Sequence, residues 1–98
     1  MTVISYYAGF AVAARSMSLP DAAVHHAKRC VIDWFAATLP GGFEAPATLM
    51  TQALAEDTGH GAAHLLPSGL SATPRTAALI NGAASHTIEF DDIFRDGL

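Results

Sequence analysis

Two prolines stand where long apolar-periodic runs begin, and that punctuation constrains the fold more than any other feature of the sequence. In Ser18-Leu19-Pro20-Asp21, Ser18 can cap a helix, Pro20 fits a first turn that needs no backbone N–H, and Asp21 suits the positive helix end. Thr73-Pro74 repeats the device. Pro40-Gly41-Gly42 and Gly59 are stop signals. Together they predict four helices, over about 4–17, 20–39, 45–57 and 74–93. From Gly59 to Thr73 the chain holds three glycines, one proline and the patch His64-Leu65-Leu66, which reads as a short extended connector. The expected fold is all-α, one domain over 1–98.

The second run carries Val24, Ala27, Val31, Trp34, Phe35 and Thr38 along one stripe, the pattern of a core-facing helix. Leu49, Ala53 and Leu54 are the expected inward residues of the third. A chain with 51% hydrophobic and 14% charged residues, against a usual charged share of about 25%, cannot coat itself in polar side chains. It should expose apolar patches larger than a soluble monomer tolerates, meant for cover by more of the same chain or by a second subunit.

The five basic residues are scattered and the formal net charge is −4, so no electrostatic footprint for nucleic acid exists. No apolar run is long enough to span a bilayer, and the apolar start lacks the basic residues and cleavage site of a signal peptide. A single cysteine, Cys30, excludes an internal disulfide framework and fits a reducing compartment, the cytoplasm.

Chemistry concentrates in the fourth helix. With Asn81 at zero and a step of about 100° per residue, Asp92 falls near ~20°, Ser85 near ~40°, Glu89 near ~80° and His86 near ~140°. His86 borders an apolar arc of Leu79, Phe90 and Ala83. Gly82 and Ala84 are small enough to admit another backbone or a ligand. Two carboxylates one turn apart raise each other's proton affinity when partly buried, so one of them can accept a proton from carbon. Three readings stand side by side. The acids form a solvated face; they form a working site, which their unfavourable position at the negative end of a helix dipole supports; or His86, Glu89 and Asp92 hold a divalent metal, though the spacing matches no zinc signature.

The run Ala77-Ala78-Leu79-Ile80-Asn81-Gly82-Ala83-Ala84-Ser85-His86-Thr87-Ile88-Glu89-Phe90-Asp91-Asp92 resembles the AA-x-x-NG-x-x-x-H-x-(L/I)-(D/E)-F-DD signature of the MmgE/PrpD family. Upstream, Leu19-Pro20, Ala27-Lys28, Cys30-Val31-Ile32-Asp33 and Gly41-Gly42 are similar to that family's opening motif. The family includes 2-methylcitrate dehydratases, cis-aconitate decarboxylases and iminodisuccinate epimerases.

The resemblance implies a longer parent with a helical domain and a smaller α/β domain, a homodimer, and a lyase that needs no metal or organic cofactor. It implies a small polycarboxylate substrate that loses a proton next to a carboxylate. Glu89 stands where the family places its active-site acid, one methylene longer than the usual Asp. Ile93 replaces a common Thr. The family's His-Pro segment would begin beyond Leu98, so the 98 residues are expected to be catalytically incomplete alone. On this reading Glu89 and Asp92 are the catalytic pair, and Asn81 and His86 orient substrate or neighbouring groups. The rival readings are a non-catalytic helical oligomerisation module and a metal-binding helical protein.

The remaining candidates read as structural. Asp33 is expected to be a hydrogen-bonded structural acid, Cys30 a small core residue, and Tyr6, Tyr7 and Phe10 a packing or subunit-contact cluster. His25 and His26 read as surface, while His60 and His64 belong to the connector.

Overall fold

The computed structural model describes residues 1–88. Four α-helices form in the expected order: α1 (Val3–Ala14), α2 (Asp21–Gly41), α3 (Ala47–Ala53) and α4 (Pro74–His86). The connector is more than an extended strip. Its two ends pair as an antiparallel sheet of β1 (Thr58–His64) and β2 (Ser71–Ala72), so the protein is mostly helical but not all-α. A 3-10 turn (Ala55–Asp57) takes the place of the expected end of the third helix.

Local chemistry explains most boundaries. Thr2 and Ser5 form a reciprocal capping box at the head of α1, where the Thr2 hydroxyl accepts from the Ser5 N–H at 3.1 Å. Pro20 is itself the N-cap of α2, so Ser18 does not cap it, and Asp21 opens the helix. Pro40 falls inside the last turn, and α2 runs on to Gly41. Thr73 is extended at the head of α4 with Pro74 in the first turn, yet its hydroxyl caps nothing. The Thr73 N–H instead reaches the Asp57 carbonyl at 3.0 Å, and the Thr76 hydroxyl reaches the Asp57 carboxylate at 3.2 Å. Asp57, the last residue of the 3-10 turn, therefore ties the start of α4 to the foot of β1.

β1 is irregular. Thr58 and Ala63 both face Ala72, so the intervening residues bulge out of the ladder. Gly61 makes this possible at φ +107, because a side chain there would drive into the Ala72 carbonyl. Past β1 the chain turns back through the Leu65 N–H to Leu70 carbonyl bond at 2.8 Å.

The core lies between this hairpin and one face of α4, built from Ala47, Leu65, Ala72, Ala77, Ile80 and Ala84. Met50, Leu54 and Ala63 pack against it, so α3 faces inward through Ala47, Met50 and Leu54, whereas Leu49 and Ala53 are exposed.

α2 departs furthest from expectation. Ala37, Thr38 and Gly41 are buried, but Val24, Val31, Trp34 and Phe35 remain between 37% and 55% exposed. The stripe is real, and among the described residues its buried part is the C-terminal end, where α2 crosses α4. α1 buries no residue at all. The Cα radius of gyration is 16.8 Å, against about 13 Å for a compact domain of 100 residues. The expected surplus of apolar surface is thus located on α1 and the first two-thirds of α2. A groove there, lined by Leu19, Val24, Val31 and Ile32 among others, has a volume of about 570 Å³.

That geometry gives a direct prediction. Val31→Lys should leave the unfolding free energy of this chain within about 0.5 kcal/mol, as for other surface substitutions, and reduce its self-association. Urea titration and sedimentation velocity measure the two effects. A core valine would lose several kcal/mol in the same exchange.

Candidate functional site

α4 carries the candidate residues, and its two sides are unequal. The inner side, Thr76, Ala77, Ile80 and Ala84, is packed, with Ile80 at 2% exposure and Ala84 at 0%. On the angular scale used above these residues span about 220° to 320°. The outer side carries Leu79, Gly82 and His86. Leu79, in the apolar arc beside His86, is 53% exposed. Ala83 is half-buried.

The two small residues have different reasons. Ala84 is small because α2 crosses directly above it: a Cβ at Gly41 would strike the Ala84 carbonyl. Gly82 meets nothing within 4 Å and leaves open space on the outer side.

Asn81 sits at the border between the sides. Its Oδ1 accepts from the Leu66 N–H at 2.9 Å, and its Nδ2 donates to the His64 carbonyl at 2.9 Å. Both halves of the amide are engaged by backbone. The Ser85 hydroxyl donates back to the Gly82 carbonyl at 2.8 Å. His86 occupies the last turn and is exposed.

α4 ends at His86, short of the expected boundary at 93. The Thr87 N–H bonds to the Ala84 carbonyl, a tightened 3-10 closure, and its hydroxyl donates to the Ala83 carbonyl at 2.8 Å. The 100° step is described only as far as His86, before Glu89 and Asp92. Those two acids, with Phe90, Asp91 and Ile93, lie outside the described residues.

Below Asn81 the turn after β1 meets the end of α2. Gly42 abuts the Leu66 carbonyl and the Pro67 ring, and a Cβ there would have no room. A cleft of about 270 Å³ opens beside this contact, with Phe43, Thr48, Gln52 and Ser68 among its lining residues.

The remaining sequence candidates separate cleanly. His25 and His26 are exposed on α2. Cys30 is exposed, not the core residue expected, because its part of α2 lies beyond the core. Asp33 is exposed on the same uncovered stretch and is not the hydrogen-bonded acid expected. His60 contacts the Glu56 carbonyl through Nε2 at 2.9 Å. Tyr6 and Tyr7 meet edge to face at 5.6 Å between centroids, both exposed. Among the described residues no three His, Cys, Asp or Glu side chains converge on a metal-sized site.

The chain is thus a helical unit with a small hairpin, an uncovered apolar flank, and a polar block closing its last helix. The model of the MmgE/PrpD N-terminal domain matches residues 6–97, and the chain belongs to that family. No curated protein and no solved structure matches it. Among the described residues no helix is long and apolar enough to cross a membrane.

Proposed function

We propose that this chain is the amino-terminal helical part of a cofactor-independent lyase acting on small polycarboxylic acids, with the dehydratase, decarboxylase and epimerase chemistries all within its class. Glu89 is the acid–base residue and Asp92 supports it electrostatically, while Asn81 and His86 orient substrate or neighbouring groups. The family match supports this reading, and it spans the Asn81–Asp92 block.

The observation that carries it is the inequality of α4. The inner face is packed and the Asn81 amide is anchored, so the helix has a fixed pose, while Leu79, Gly82 and His86 stand on its exposed outer side. A helix held rigidly on one side with a chemically equipped second side is what a site assembled from several parts of a protein requires.

The apolar flank fits the same picture. α1 and the start of α2 are covered by a second copy or by chain beyond Leu98, and the protein works in the cytoplasm, where the exposed Cys30 stays reduced.

The test is turnover. The chain, together with whatever its reading frame encodes past Leu98, is incubated in deuterium oxide with citrate, 2-methylcitrate, cis-aconitate and an amino-dicarboxylate. Deuterium at the carbon next to a carboxylate, or loss of water or carbon dioxide, is the expected result. A folded protein inert toward all of them, or one that works only with added Zn²⁺ or Mn²⁺, sinks the proposal.

The oligomerisation module is the one other reading with an observation behind it, the bare faces of α1 and α2. A discrete, stable dimer of the 98 residues with no lyase activity in any longer form favours it.

A further inference from the structure

A carboxamide is the one short side chain that can donate and accept at once through fixed, coplanar atoms. Asn81 uses both. Its oxygen takes the Leu66 N–H and its nitrogen serves the His64 carbonyl, each at 2.9 Å, so the amide brackets Leu65 the way a neighbouring strand would. Leu65 is 3% exposed and belongs to the core. β2 supplies this stretch with little else, since it is only two residues long and pairs no further than His64.

The bracketed turn is also the turn that meets α2. Leu66 and Pro67 press on Gly42 and, with Ser68, wall the 270 Å³ cleft. Gly42 follows Gly41, which crosses α4 at Ala84. The contacts close a ring: α4 at Asn81, the turn at Leu66, α2 at Gly42 and Gly41, and α4 again at Ala84.

We infer that Asn81 is a positioning residue that latches the turn of residues 64–69 to α4, and that this latch sets the wall of the cleft and the pose of α4 up to His86. The two backbone bonds fix the plane of the amide and leave it one further N–H and one lone pair. The inference rests on geometry alone and not on the lyase reading, so the two fail separately.

Asn81→Asp distinguishes a latch from mere packing. It keeps the shape of the side chain but, ionised, sets a carboxylate against the His64 carbonyl, two acceptors with no proton between them. Protonated, the same carboxyl donates and accepts as the amide does. The readout is hydrogen-exchange protection of the Leu66 amide in the 98-residue chain, with the Ile80 amide in α4 as internal standard.

The latch predicts that Asn81→Asp loses roughly tenfold or more of Leu66 protection near pH ~7.5, keeps more of it at Ile80, and regains it toward pH ~3.5. Asn81→Ala should lose it at every pH. The other titratable groups on the elements packed here are Glu44, Glu56, Asp57, His60, His64, Arg75 and His86, with Asp21, His25, His26, Lys28, Arg29, Cys30 and Asp33 along α2. All of them are present in the unsubstituted chain, whose own pH series is the reference. Leu66 protection unchanged in both variants overturns the inference. So does an equal fall at Leu66 and Ile80 with no acid recovery, which would make Asn81 a general packing residue.

Discussion

Glu89→Gln should slow turnover of the accepted polycarboxylate by about 10²–10⁴-fold, the range that one positioned acid–base group supplies. The substitution keeps side-chain length and hydrogen-bonding capacity and removes only the ability to take a proton from carbon. Under the proposed lyase reading the loss falls on kcat, with KM little changed, because substrate is held by other groups. Asp92→Asn should cost less, since that residue acts through the field it places on Glu89. The pH profile separates the two roles. Removing Asp92 should move the acidic limb toward lower pH, because Glu89 works deprotonated, a neighbouring negative charge raises its proton affinity, and loss of that charge lowers it. Steady-state rates on the longest form of the protein, with deuterium exchange as a second readout, decide the matter. Full activity in Glu89→Gln would remove this residue from the mechanism and leave the family membership standing.

How much of this was legible in the sequence depends on which contacts are local. Proline and glycine act through their own backbone, so four helices in order, Pro74 in a first turn and an end to α2 beside Gly41-Gly42 could all be read. The Thr2–Ser5 capping box is equally local, and its three-residue spacing was available to find. The sheet was not legible. Gly59-His60-Gly61 has neither alternation nor β-branched residues, and β1 exists because Ala72, far along the chain, faces two of its residues.

Periodicity misled in a different way on α2. A stripe from Val24 to Thr38 says which side of a helix is apolar and nothing about whether the same chain covers it. The same limit explains Cys30, which reads as core only if that stretch is core, and Asp33, which stands exposed on the same stretch and not as the hydrogen-bonded acid expected. Asn81 shows the limit most sharply. Its type and place in a family signature single it out, but its partners lie 15 and 17 residues upstream, and no local pattern encodes them.

Gly41 offers the strongest test of the packing itself, because two effects predict opposite signs. Helix propensity alone says that Gly41→Ala, in the last turn of α2, stabilises by roughly 0.5–1 kcal/mol. The crossing says otherwise. A Cβ at this position meets the Ala84 carbonyl, and that obstacle is backbone with no rotamer to yield. Nor can α2 slide away easily, since Gly42 is blocked in the same manner by Leu66 and Pro67. The clash should win. Gly41→Ala is expected to cost at least the ~1–3 kcal/mol typical of overpacking. Gly41→Val adds two branches to the same collision and should abolish the cooperative transition, because the core among the described residues is a cluster of six around Ile80. Urea denaturation followed by circular dichroism reads both variants. A Gly41→Ala chain as stable as the parent, or more so, would mean that α2 and α4 do not cross at Ala84, and the ring of contacts that fixes α4 would open at that point.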